Sequence, residues 1–234
     1  MTVSTSGTGT SDLPSAARGP ESSGVYSRLR AQILDLDRVP GSRLTERGLE
    51  TELGASRTPL RAALMRLEGE GLVARDGRAW QVSPIDLGEI AQLSELRDAV
   101  ETAAARLSCT RASDAEIAAL AAQLDGFDPS RPTDEAVHAG TEFHVRLAAL
   151  SGNAFFADAV DSAMTRLARS RWLVVRSEEP WEEHREILRR VAARQADDAA
   201  ELIHEHIVGT HARLLAALGA DARMLRGRGL AIVG

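Results

Sequence analysis

The chain has 234 residues, enough for one large domain or two of ordinary size. Hydrophobic residues make up 44% and charged residues 26%, which suits a globular protein with its own core. The longest apolar stretches are far shorter than a membrane span, and the first residues lack the basic-then-apolar pattern of a secretion signal. The single cysteine, Cys109, excludes an intramolecular disulfide framework and suits a reducing, cytoplasmic setting. The net charge of −6 is unevenly spread: residues 25–83 carry ten arginines against eight carboxylates, whereas residues 84–234 are strongly acidic. Only the first of these segments is cationic enough to approach a polyanion.

Residues 1–23 are rich in Ser, Thr, Gly and Pro and are expected to be a disordered tail. A helix is expected from Val25 to Asp37, with Tyr26, Leu29, Ile33 and Leu36 on one stripe. Pro40-Gly41 turns the chain, and Thr45 is placed to cap a helix carrying Leu49 and Leu53 that closes at Gly54. Ser56 is expected to cap the next helix, whose Leu60, Leu64 and Leu67 face inward. Gly69 and Gly71 end it, and residues 72–82 read as a β-hairpin turning at Asp76-Gly77. The order helix, turn, helix, hairpin is a winged helix-turn-helix, expected over 24–84, whose dominant use is reading duplex DNA in the major groove.

From 85 to 219 the chain is alanine- and leucine-rich. Six helices and no strand are expected, covering roughly 86–110, 113–125, 133–150, 153–177, 181–195 and 197–218 as an antiparallel bundle. Residues 220–234 have no periodic face and are expected to be a flexible C-terminal tail. The fold class is therefore mainly α, a winged helix-turn-helix followed by a six-helix bundle.

Within the hairpin-and-helix segment, Arg57 and Arg61 stand at i and i+4, opposite the leucine stripe. Arginine can donate two hydrogen bonds to guanine O6 and N7. Ser56 and Thr58 lie near a helix start, where hydroxyls and backbone N–H groups meet phosphate, and Arg47 precedes them on the neighbouring helix. Gly77 at the wing tip permits close approach to a groove. The stretch ERGLETELGASRTPLRAALMRLEGEGLV, with VYSRLRAQI and PGSRLTE before it, resembles the N-terminal domain of the GntR family of bacterial transcription regulators. The resemblance implies that Arg47, Ser56, Arg57, Thr58, Arg61 and Gly77 contact operator DNA. The segment DGRAWQV departs from the family's usual glycine-flanked, Phe-containing wing.

Three histidines, His144, His184 and His206, fall on three different expected helices, and three imidazoles converging in a bundle suit zinc or a related divalent metal. Each is alternatively a hydrogen-bonded core residue. Residues 86–218 resemble the all-helical FCD domain of the FadR-like GntR regulators, in its smaller VanR-type form. That resemblance implies a metal on these three histidines plus an Asp one turn before the first. Gly140 occupies the Asp position and cannot ligate, so water or an effector would complete the site. The same resemblance gives Arg97 and Asn153 as effector-facing residues, with a small carboxylate metabolite as the effector. Arg97 can alternatively pair with Glu101, and Asn153 can cap a helix. His204 and His211 are read as rim residues.

The expected protein is a homodimeric regulator, without enzymatic activity, that binds a palindromic operator, most simply as a repressor released by its effector. It would be cytoplasmic and nucleoid-associated, with no membrane partner. The alternatives are a constitutive DNA-binding dimer and a metal-dependent hydrolase; the absence of an HExxH pair argues against the hydrolase.

Overall fold

The computed structural model describes residues 20–126, 133–171, 179–227 and 230–233. The first amphipathic run forms α1 (Pro20–Leu34), burying Val25, Tyr26, Leu29 and Ile33. The helix starts earlier than expected, so residues 20–23, assigned to the tail by composition, are helical. The rest of that tail lies outside the described residues. A short strand, β1 (Arg43–Leu44), precedes α2 (Glu46–Leu53). The Thr45 hydroxyl accepts from the Gly48 N–H at 3.2 Å, and Gly54 ends α2 in the left-handed region (φ 63°) that side chains resist.

Next comes α3 (Arg57–Gly69), anchored by buried Leu60, Ala63, Leu64 and Leu67. Ser56 occupies its N-cap with extended backbone, yet its hydroxyl makes no capping bond, contrary to the sequence expectation. The hairpin pairs β2 (Val73–Asp76) with β3 (Ala79–Val82). Asp76 opposes Ala79, so the turn is Gly77-Arg78, one residue later than expected. Strand β1 adds to β3, giving the order β1-β3-β2.

Beyond the linker strand β4 (Ile85–Asp86) the bundle comprises α4 (Leu87–Arg111), α5 (Asp114–Asp125), α6 (Thr133–Leu150), α7 (Ala154–Arg171), α8 (Glu179–Ala192) and α9 (Ala196–Gly227). These follow the expected helices closely; the end of the run expected over 153–177 lies outside the described residues. Asp86 caps α4 by accepting from Gly88 and Glu89, and Ser113 with Glu116 forms a reciprocal capping box on α5. The core of the bundle is built from Ala105, Leu120, Phe143, Leu147, Ile187, Val191, Ile203 and Ile207, among others.

Two expectations for the C-terminal part are corrected. Helix α9 runs on to Gly227, and β5 (Ile232–Val233) returns to pair in parallel with β4. The segment 230–233 is therefore neither frayed nor strandless. Leu230 and Ile232 are buried against Ile85, Ile90, Leu167, Leu214 and Leu218. Its backbone is satisfied too: Ala231 N–H donates to the Pro40 carbonyl at 3.0 Å, and the Ile85 N–H donates to the Ala231 carbonyl at 2.9 Å. Two apolar side chains and a ladder of backbone bonds hold a segment too short to show periodicity.

These contacts also join the two halves. Helix α7 inserts Ala168 into the core of the winged domain. From the same helix, Thr165 accepts from Arg30 of α1, and buried Arg169 donates to the Ser83 carbonyl.

Candidate functional site

Two groups of residues are candidates for function. On the winged domain Arg47, Ser56, Arg57, Thr58, Arg61 and Gly77 are all exposed. Because the leucines of α3 face the core, Arg57 and Arg61 are turned outward one helical turn apart, with side chains 75% and 61% exposed. Sequence reading missed Arg78, an exposed cation beside Gly77 at the wing tip. It also left the unusual wing unexplained. Trp80 is buried under the sheet, and the Arg75 guanidinium lies 3.5 Å above its ring, so an aromatic–cation stack stiffens the hairpin.

The second group is internal. His144 of α6, His184 of α8 and His206 of α9 are each at most 2% exposed. His206 Nε2 lies 3.2 Å from His184 Nε2 and 3.2 Å from His144 Nε2. Phe143 stacks on His184 with ring centroids 4.1 Å apart, and Trp181 meets the same ring edge-on. His144 Nδ1 is 2.7 Å from Glu101 Oε2, and His206 Nδ1 is 2.5 Å from Glu183 Oε2. A carboxylate at Nδ1 keeps the ring proton there and leaves the Nε2 lone pair pointing inward.

Burial holds the His206 pKa below the ordinary imidazole value, the Glu183 bond opposing and the charge of Arg97 reinforcing it. Burial raises that of Glu183, but hydrogen bonds and charge from His206 and Arg213 outweigh it and keep the carboxyl below its usual range.

Where the Nε2 lone pairs of the three rings face one another, a cation can be held between them. Zinc–nitrogen bonds of about 2.0–2.1 Å in tetrahedral geometry span N–N edges of about 3.3–3.4 Å, close to the 3.2 Å found. The donor set therefore fits a divalent metal. Gly140 is buried one turn before His144 and contributes no ligand.

Arg97 lies beside this cluster, 5% exposed, its Nε donating to Glu101 Oε1 at 2.7 Å. Its Nη2 is buried and has no hydrogen-bond partner among the described residues. Asn153 stands elsewhere. At the α6–α7 turn its carboxamide oxygen accepts from the Phe155 N–H, a capping role that accounts for it without a ligand. His204 and His211 bind the α4 surface through Asp98 and Ser94, as rim residues do.

Comparison with known proteins places each half of the chain in a family. Residues 21–82 match the model of the bacterial regulatory proteins of the gntR family, and residues 92–209 match the FCD domain. The Nta operon transcriptional regulator of Aminobacter aminovorans is 36% identical over 172 residues, covering 72% of this chain and 82% of that protein. The chain belongs to the GntR family. It is a DNA-binding transcriptional regulator of the GntR/FCD type.

Among other relatives, the HTH-type transcriptional repressor RspR of Escherichia coli is 22% identical over 196 residues, covering 80% of this chain and 86% of that protein. In fold, the chain is similar to E. coli McbR/YncC, with a TM-score of 0.68 at 18% identity over 85% of this chain and 98% of the other. A GntR regulator from Rhodococcus sp. RHA1 gives a TM-score of 0.70 at 22% identity, over 85% and 99%. The named relatives are regulators of transcription, and no helix among the described residues is long and apolar enough to cross a membrane.

Within this GntR/FCD frame, sequence reading missed Glu183 altogether and took Glu101 only as a possible partner of Arg97, not as the carboxylate on His144. Neither contact with a histidine carries a signal in the sequence, because each joins residues of two different helices.

Proposed function

We propose that this GntR regulator is a homodimeric repressor whose operator affinity is set by a small carboxylate bound at a metal centre inside the FCD domain. The observation that carries the reading is the buried Arg97 Nη2, a cationic donor with no hydrogen-bond partner among the described residues, beside three converging imidazoles. A buried donor left unpaired costs about 1–3 kcal/mol, and an anionic oxygen would remove that cost. His144, His184 and His206 would hold the metal, which supplies a Lewis-acidic anchor for an anion. Arg97 would grip the same anion, oriented by Glu101, and that anion or water would take the ligand place that Gly140 leaves without a side chain. The aromatic wall of Phe143 and Trp181 excludes water from the ligands.

On the DNA side, Arg57 and Arg61 would read bases in the major groove while Arg47, Ser56 and Thr58 hold phosphates. Gly77 and the wing would follow the adjacent groove. A two-fold dimer demands a palindromic operator. Leu96 of α4 and Phe155 of α7, 43% and 83% exposed, support a partner on the helical domain. Because α6 bears His144 and packs on α7, which is seated in the winged domain, closure around an anion has a direct mechanical route to α3. A ten- to hundredfold loss of operator affinity corresponds to a coupling of about 1.4–2.7 kcal/mol.

The test uses thermal shifts with a panel of mono-, di- and tricarboxylates on metal-loaded protein, followed by operator binding with each stabilising compound. The reading expects one class to raise Tm and release DNA, and Arg97→Ala to lose both responses. Stabilisation that survives in Arg97→Ala would refute the assigned effector site.

A further inference from the structure

The two outward arginines of α3 are not free in the absence of DNA. Arg61 Nε donates to both oxygens of Glu46, at 3.0 and 2.9 Å, and Arg57 Nε donates to Glu50 at 2.9 Å. The pairs are nested about the Gly54 turn. Glu46 and Glu50 stand one helical turn apart on α2, and Arg61 and Arg57 one turn apart on α3, so the helices meet as a two-rung ladder. The glutamate side chains are only about a quarter exposed, whereas the arginines reach out over them. Both bonds are made by Nε, and the terminal nitrogens of both guanidinium groups have no partner among the described residues.

Ion pairs this exposed contribute little to folding stability. Their consequence is geometric and electrostatic. With Nε engaged from behind, each arginine presents its two Nη groups end-on, which matches the paired acceptors O6 and N7 of guanine. A carboxylate at the guanidinium's back also repels phosphate, so it disfavours the competing posture in which a long arginine folds onto the nearest backbone oxygen.

We propose that Glu46 and Glu50 are positioning residues for DNA specificity, holding Arg61 and Arg57 in the base-reading posture at some expense in general DNA affinity. The proposal rests on the reading of α3 as the recognition helix. It differs from a plain charge-balancing role in one respect: neutralising the carboxylates should raise affinity for random DNA while lowering discrimination.

The experiment compares the wild-type chain with Glu46→Gln, Glu50→Gln and the double variant. The probes are the duplex that the wild type enriches from a randomised pool, a random-sequence competitor, and the enriched duplex with guanines singly replaced by 7-deazaguanine. In the double variant, affinity for random duplex should rise while the ratio of specific to random affinity falls about tenfold. The 7-deazaguanine penalty at the contacted positions should shrink in parallel. A parallel rise in both affinities, with the ratio and the deazaguanine penalties unchanged, would overturn the proposal, since the carboxylates would then only offset charge. Failure of the wild type itself to enrich any sequence would instead remove the recognition-helix reading, and the proposal with it.

Discussion

Glu101 Oε2 lies 2.7 Å from Nδ1 of His144, joining α4 to α6 in the interior of the bundle. The other oxygen of the same carboxylate holds Arg97. One side chain thus sets both the tautomer of a candidate metal ligand and the direction of the candidate anion-binding cation. Partners of this kind raise ligand basicity and fix ring orientation. Glu101→Gln should therefore weaken metal affinity about 10- to 100-fold without removing a ligand. Competition against a chromogenic chelator measures this, and unchanged affinity would show that the carboxylate merely satisfies Arg97.

On the DNA face the prediction is specific to bases. Arg57→Ala should lose about 1–3 kcal/mol at the operator and relax preference at one base position. Quantitative binding to a set of singly substituted duplexes reads both effects. Equal weakening on every sequence would mean that Arg57 touches only phosphate.

The C-terminal strand makes a prediction at a distant turn. Gly41 has φ 87°, and a Cβ placed there would lie 2.5 Å from the Ala231 Cβ. Gly41→Ala combines backbone strain of about 1–3 kcal/mol with that clash. Thermal melts should show a marked loss of stability, with Ala231→Gly in the same chain restoring only part because the positive φ persists. Deleting residues 230–234 should also lower Tm, by exposing the surface that Leu230 and Ile232 cover. A deletion without effect on Tm would show that the strand is not seated.

Acid stability should carry the signature of the α5 cap. Hydrogen bonds from the Ser113 hydroxyl and backbone N–H hold the Glu116 pKa below the ordinary carboxylate value. A group whose folded pKa is depressed contributes stability above its unfolded pKa and loses it as pH falls through the folded one. Glu116→Gln should accordingly lower Tm at neutral pH and flatten the fall in Tm below about pH 4.5. Parallel Tm–pH curves for the two proteins would refute the capping contribution.

What could be read in the sequence follows from the range of the forces involved. The leucine spacing of α3, the Thr45 cap and the Gly54 stop are local, and the helices they define appear nearly where expected. The histidine triad was legible because each imidazole interrupts an apolar helix face that could only point inward. Glu101 and Glu183 were not, since a glutamate gives no sign in sequence of whether it faces water or a histidine from another helix. The fate of 230–233 was also hidden: its stability comes from Pro40 and Ile85, far away in the chain. Ser56 shows the opposite error, in which a motif suggested more than local geometry delivers, while Asn153 takes the capping role that the sequence offered as its alternative. Asn153 serves as a cap, and the Ser56 hydroxyl, expected to cap, does not.

The account turns on the three histidines. Protein purified without chelator, and parallel preparations of His184→Ala with His206→Ala, should be assayed by elemental mass spectrometry after exhaustive desalting. About one divalent metal per chain in the parent and none in the double variant is the predicted result. A folded parent chain that carries no metal and takes none up from micromolar zinc, nickel or manganese would contradict the proposed centre.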